Sequence, residues 1–449
     1  MGTIQKSLIL FLFMAISLYT SGQDDKLTNQ DADRTSHELY EKGDWKELIR
    51  FSKEAARSGI DDYNLRIRTG TAYFQTKRYM QAAIQFQKAL EFNNDDFIAR
   101  EYLYNCYLQL NRSTEAYQIF DKLPAASQEK FVHSLPKLKE AKLGAGIITS
   151  NQIGIFDTLD LDGPENIYGE TDISQDGHYF SGGLKWGFKN GYDIFGSYSY
   201  LKIDKRKLAR IGDTLSLDNQ YPLVQHQLYV NGNIPLGKGY SLLPALNMVL
   251  DRFETVMPEP GEDSLSYIFP SEKFRYNTFI GYLSLTKDFN IIQTSFFAAY
   301  SNLNEKEQIQ AGFQVTYLPF GNLNLYLNSK LLDHINESKG QIIFDQMVGF
   351  RLAQNWWAEL DAVFGKMRNY HECQAYVVYD IAEEMKFKGS LKLIYKLGNR
   401  WIVTGEYFLL LREGDYFYYA HEDGITADRV NKSVDFNSQL ALISFRWKF

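Results

Sequence analysis

Two rhythms of apolar and polar positions divide this chain of 449 residues. Up to about residue 141 the apolar positions recur at helical spacing. From Lys142 they alternate one for one with polar positions, in segments of about ten to sixteen residues. Two segments are clean. Leu323, Leu325, Leu327 and Leu331 share one face against Asn324, Tyr326, Asn328 and Lys330; Ile309, Ala311, Phe313, Val315 and Tyr317 oppose Gln310, Gly312, Gln314 and Thr316. The first part predicts packed helices and the second antiparallel strands with one apolar face.

The helical part repeats itself. Tyr73, Ala82 and Phe86 recur at Tyr107, Ala116 and Phe120, an offset of 34, and in the other direction Tyr79 maps to Trp45 and Ala89 to Ala55. The copy with Gly70, Tyr73, Tyr79, Ala82, Phe86, Ala89 and Leu90 resembles the tetratricopeptide pattern of small and aromatic positions on paired helices. Arg66 and Arg100 stand where that family has Trp, and Asn94 where it has its helix-ending Pro. Small residues at 70 and 82 let helices approach, and the rings fill the space between repeats. Residues 125–141 predict a capping helix kinked or ended at Pro136. The aromatic positions are therefore core. A partner surface is expected instead on the first helices, at Asn64, Arg66, Arg68, Arg100, Asn105 and Gln109. The resemblance implies binding of a peptide or partner protein there.

In the alternating part, short turns at Asn190-Gly191, Gly237 to Gly239, Asp288 to Asn290, Phe320 to Asn322, Gln354-Asn355 and Gly398-Asn399 interleave with longer connections. The latter fall near 157–175, 207–220, 258–271, 302–307, 334–340, 371–385 and 413–431. Short turns at one end and longer loops at the other are the signature of an outer-membrane barrel. Six turns and seven loops imply fourteen strands. Sixteen is the alternative count, with Cys373 to Glu384 as an extra extracellular hairpin limb. The last segment, with Ala441, Ile443, Phe445, Trp447 and Phe449 on one face, resembles the aromatic-ended final strand of such barrels.

Composition agrees: 31 Tyr, 31 Phe and 6 Trp in a chain whose mean hydropathy is −0.34 suit strands with one lipid-facing side, not apolar helices. Residues 1–22 read as a secretory signal, with Lys6 ahead of an apolar core too short to span a bilayer. A net charge of −7 supplies no basic stripe for nucleic acid. Cys106 and Cys373 are expected on opposite sides of the membrane, hence unbridged, and neither a cofactor nor a metal cluster is implied. His178, His226, His334, His371 and His421 are scattered over separate strands or loops, so no catalytic constellation is expected and the chain reads as a non-enzyme.

The expected fold is thus α + β. A short α-solenoid (tetratricopeptide-like) over 27–141 lies in the periplasm, followed by an antiparallel transmembrane β-barrel of about 14 strands over 142–449 in outer-membrane lipid. Lumen charges are expected at Lys386, Lys388, Lys392, Lys396, Arg446 and Lys448, with Asp345, Arg351, Glu359, Asp361 and Glu406 nearby. They form either a basic track for an anionic solute or mutually paired filling. The architecture resembles surface-lipoprotein translocators and exopolysaccharide export porins. Strand number and array length lean toward the first, so the expected function is a non-enzymatic outer-membrane barrel whose repeats recruit a protein partner or cargo for export, surface display or envelope assembly; the second resemblance implies the alternative, a conduit for a polymer or solute. A structural subunit of a larger complex is the third reading.

Overall fold

The computed structural model describes Leu27 to Phe449, apart from residue 111 and residues 133–137, 151–167, 189–191, 212–213, 258, 261–266, 290, 337–338, 380–382 and 422–426. The expected secretory signal over 1–22 and the expected Asn190-Gly191 turn lie outside the described residues. The chain forms two compact units, Met1–Cys106 and Tyr107–Phe449.

Helices α1 (Asn29–Glu41), α2 (Trp45–Arg57), α3 (Tyr63–Gln75), α4 (Tyr79–Phe92) and α5 (Phe97–Gln109) build the repeats, and α6 (Ser113–Phe120) and α7 (Ala125–Val132) follow. The 34-residue period is visible in the helix starts. Asp62 accepts the Leu65 N–H at 2.9 Å and Asp96 accepts the Ile98 N–H at 2.9 Å, so each acidic pair ahead of a first helix contributes its N-cap. Gly70 is required by contact. A Cβ there would stand 2.8 Å from the fully buried Phe86 ring, which stacks on Tyr102 at 4.9 Å. The capping helix is shorter than expected: α7 ends at Val132, and residues from 138 onward are already strand.

Fourteen strands close into one antiparallel barrel: β1 (Leu138–Ser150), β2 (Tyr168–Gly187), β3 (Asp193–Ile211), β4 (Thr214–Gly237), β5 (Tyr240–Val256), β6 (Ser271–Phe289), β7 (Ile292–Ser301), β8 (Gln308–Tyr317), β9 (Leu325–Asn336), β10 (Lys339–Ala353), β11 (Trp356–Met367), β12 (Glu384–Leu397), β13 (Trp401–His421) and β14 (Ala427–Lys448). Each strand pairs with the next, and β1 closes on β14 from Glu140↔Lys448 to Ser150↔Ser438. The barrel therefore begins at Leu138, four residues before the expected 142, because the end of β14 pairs with that stretch.

Side chains alternate as the sequence pattern requires. Leu143, Ile147, Phe180, Leu246, Phe279, Phe296 and Ile342 point outward and are exposed, while Gln225, Gln227, Asn247, Gln308 and Gln310 point inward and are buried. An outward apolar surface around a closed ladder is a bilayer face, since closure leaves no unpaired backbone edge. At the turn end, stacked Trp356–Tyr395, Trp401–Trp447 and Trp447–Phe449 pairs gather in the manner of an interfacial girdle.

Three expected loops are strand instead. Residues 207–211 and 214–220 extend β3 and β4, only 337–338 separate β9 from β10, and 413–421 and 427–431 extend β13 and β14. Beyond the bilayer the outward face turns polar, as at Arg206, which chelates Asp218 at 2.8 and 2.6 Å. The apolar alternation fades there although pairing continues. Past Glu413, β13 leaves β12, and its freed edge pairs with the start of β2, Tyr416↔Thr171 to Tyr419↔Tyr168. Since β14 and β1 lie between those strands in the sheet, this pairing bends the long β13–β14 hairpin over the loop end. Ile173, Leu208, Tyr416, Tyr418 and Phe436 pack beneath it.

The outward face is directly testable at β7, whose ten residues place Phe296, 66% exposed, near mid-strand. Phe296→Arg is expected to lower stability by about 2–4 kcal/mol in urea unfolding from lipid vesicles, the cost of arginine at mid-bilayer.

Candidate functional site

The barrel lumen is occupied by the connection from β11 to β12. Its described residues form a small hairpin, Tyr370↔Tyr379 to Glu372↔Val377, that folds into the barrel and does not span it. This settles the strand number at fourteen and corrects the placing of Cys373, whose thiol opens onto the lumen and not on the outer side.

The hairpin is held along its length. Next to its turn the Glu372 carboxylate lies 2.7 Å from Lys388 and accepts the Tyr379 hydroxyl at 2.7 Å, while Lys388 also sits 3.3 Å from Asp361. Tyr370 is fully buried among Leu332, Ile343, Val363, Met367 and Leu410. His334 Nε2 contacts the Arg368 carbonyl at 2.9 Å, and Gln310, with its amide oriented to satisfy both ends, bridges the His371 backbone at 3.1 and 3.2 Å. Glu383 accepts the Ser174 N–H at 2.8 Å. Ala375 and Val378 pack with Val249, Ile280 and Leu303.

The tip is strained. Cys373, Gln374 and Ala375 take φ of 52°, 63° and 66° in succession, a left-handed run costing roughly 1–2 kcal/mol per residue without glycine. The geometry aims successive carbonyls at the wall, where Gln374 accepts the Tyr229 hydroxyl at 3.1 Å and Ala375 the Asn247 amide at 2.7 Å. Tyr376 meets Tyr229 edge-on at 5.1 Å, with Lys142 Nζ 5.1 Å from its ring.

Two cavities adjoin this tip. One of about 590 Å³ reaches among the β8–β13 charges and the hairpin. The other, about 520 Å³, opens toward the turn end past Glu140, Lys185, Asp193 and Arg446, with Arg112 and Glu115 beside it. Glu115 pairs with Arg112 at 2.7 Å and accepts the Gly239 N–H of the β4–β5 turn at 3.0 Å.

The expected lumen charges stand mostly in pairs. Lys392 contacts Glu359 at 3.3 Å and Glu406 at 3.1 Å, Lys330 contacts Asp345 at 3.4 Å, and Arg446 contacts Glu140 at 3.3 Å. Lys386 is at the loop-end rim with Glu413 and Asp435, and Arg351 turns to the Ala353 and Gln354 carbonyls. Lys396 and Lys448 lie toward the turn end of their strands. No continuous basic track runs among these residues. What sequence reasoning missed is the hairpin. The signal was present in the apolar run Tyr376-Val377-Val378-Tyr379, out of place in a loop surrounded by water.

In the helical unit the expected partner-binding arginines are engaged internally. Arg66 chelates Asp61 at 2.6 Å and donates to Gln85, and Arg100 faces Asp95 at 3.5 Å, the same bridge one repeat later. Arg68 reaches Asp33 at 2.7 Å and Ser36 at 2.8 Å on α1. Asn64 donates to Asp33 and Asn105 to the Glu101 carbonyl, while Gln109 is exposed.

No protein-family model and no curated protein sequence matches the chain. Among solved structures the barrel is similar to the crystal structure of a Pseudomonas aeruginosa FadL homologue, at 8% identity over 69% of this chain and 90% of that one, with a TM-score of 0.45. It is also similar to a TodX deltaS2S3 mutant monoaromatic hydrocarbon channel, at 8% identity over 71% and 92%, with a TM-score of 0.33. The helical part is similar to YrrB, a tetratricopeptide protein with an unusual peptide-binding site, at 22% identity over 26% of this chain and 60% of that one, with a TM-score of 0.21. Overlap at this level says nothing of what the barrel passes. The architecture itself is a tetratricopeptide-like array followed by a barrel of the outer-membrane type.

Hydrogen bonds from Arg68 and Arg66 hold the Asp33 and Asp61 carboxyls below the usual carboxylate range. Their unfolded values are higher, so this stabilisation is complete above the ordinary carboxylate pKa and is lost as pH falls through the depressed values. Both carboxylates are about half exposed to solvent, which limits each pair to less than about 1 kcal/mol. Melting the helical circular-dichroism signal from about pH 5 to about pH 3 should show stability falling with acid. The Asp33→Asn/Asp61→Asn double variant should show a shallower fall.

Proposed function

We propose that this chain is a non-enzymatic outer-membrane channel for small solutes, closed in this conformation by the hairpin folded from the β11–β12 connection. The helical repeats lie on the periplasmic side in this reading. The observation that carries it is the position of the tip between two cavities of one closed barrel, held by a strained backbone. Strain of this kind persists where the surroundings over-determine it, and it suits a segment with two arrangements. An inert anchor has no need of cavities on both sides of a strained turn. A polymer exporter needs a bore that this hairpin fills.

Recruitment of a protein partner by the repeats is a second role. It is favoured by Phe92, Phe97 and Ile98, which stand about half exposed around the α4–α5 turn, and not by the arginines.

Planar-bilayer recording tests the channel reading. Replacing residues 370–379 by a short flexible linker should raise conductance by about tenfold or more over the intact chain, because the wall charges alone leave an aqueous lumen. A deletion variant that folds and inserts yet conducts no better than the intact chain overturns the gated-channel reading and favours the anchor.

A further inference from the structure

Four residues line both cavities: Cys373, Gln374 and Tyr376 from the hairpin tip, and Lys142 from the barrel wall. Lys142 thus stands at the tip, where the two cavities meet. It lies on β1 directly across from Arg446 on β14 and from Gly183 on β2. Side chains directly opposite in an antiparallel pair approach to about 4.5–5.5 Å at Cβ, and like charges so placed repel. Arg446 relieves this by turning to Glu140, at 3.3 Å.

Lys142 has no such relief. Among the described residues no carboxylate pairs with it, and the group it meets is the Tyr376 ring. The other lysines of the two cavities differ. Lys330, Lys388 and Lys392 each contact at least one carboxylate, and Lys185 contacts Asp193 at 3.4 Å. Arg412, which lines the larger cavity, has the Glu383 carboxylate as its charged neighbour. Among the described residues that line the two cavities, the other cations each have a carboxylate beside them and the Lys142 ammonium does not, at the hairpin tip where the cavities meet. Around it stand the rings of Tyr376, Tyr229 and Phe195, an apolar flank beside a single positive charge. A charge beside such an apolar flank acts on nearby ions far more strongly than one in open water.

Resting on the channel reading, we propose that Lys142 selects the solute: the channel passes small organic anions, whose carboxylate takes the place of the missing partner of Lys142 while the rest of the molecule lies against the tyrosine rings.

The test is ion selectivity of the full chain in planar bilayers under a potassium chloride gradient, then with benzoate replacing chloride. Recordings compare the intact protein, Lys142→Gln and Lys142→Glu, each also with Glu372→Gln, which weakens the hairpin's tie to Lys388 on the wall. The intact protein should show an anion-selective reversal potential and carry benzoate. Lys142→Gln should move the reversal potential toward zero. Lys142→Glu, which gains Arg446 as a partner and so keeps the fold, should reverse its sign, an anion-to-cation permeability change of about tenfold or more. Conduction with the same reversal potential in all three overturns the assignment of Lys142 and leaves the channel reading standing. Conduction by the hairpin-deleted protein alone also overturns the assignment, since no ion then passes the tip. No conduction by any form, the hairpin deletion included, removes the channel reading itself.

Discussion

Hydrocarbon offers no hydrogen bonds, so a strand that enters a bilayer must have both of its edges paired. In this chain that requirement closes β14 onto β1, and most of the barrel's other features are its consequence. Closure fixes the alternation. Every second residue must be tolerable to lipid, and Phe296, Leu246 and Ile342 are; every other residue must be tolerable in a narrow, partly dry lumen. A lumen wall built from Gln225, Asn247, Gln310, Lys388 and Glu359 is tolerable only when those groups find partners.

The in-folded hairpin supplies many of those partners. Asn247 and Tyr229 meet its carbonyls, Gln310 its backbone, and Lys388 its Glu372. The wall and the hairpin satisfy each other, which is why an apolar, aromatic connection turns inward and does not lie on the outer rim. The arrangement also carries its own counterweight. Three successive left-handed residues at the tip oppose the bonds that hold it, so the in-folded arrangement is specific without being deep. The long β13–β14 hairpin, whose freed edge pairs with β2, covers the loop end of the same lumen.

How much of this was legible in the sequence depends on which forces act locally. The repeats were readable because Gly70, Phe86 and their 34-residue echoes must recur for the helices to pack. The barrel strands were readable wherever lipid imposes alternation, as in 309–317 and 441–449. Strand boundaries failed where lipid ends: Lys205 and Lys207 point inward and Arg206 outward, all charged, so pattern alone makes a strand look like a loop. The lumen charges were readable as residues, but their pairing was not, since Lys388 meets Asp361 across a strand ladder and Glu372 from a separate segment. Lys142 was passed over because its neighbours in sequence are unremarkable. Its isolation appears only once Arg446 is seen to face it and turn away.

The hairpin's place inside the barrel is the central claim, and the chain carries its own probe for it. Cys373 is a free, exposed thiol at the tip, while Cys106 is buried among the helices and out of a reagent's reach in the folded protein. The decisive measurement is labelling of the full protein in intact membranes with a small maleimide and with a maleimide carried on a bulky polymer. The small reagent should reach Cys373 and the polymer-linked one should not until the barrel is denatured. Equal, rapid labelling by both in the folded protein would place the hairpin outside the barrel and contradict the account.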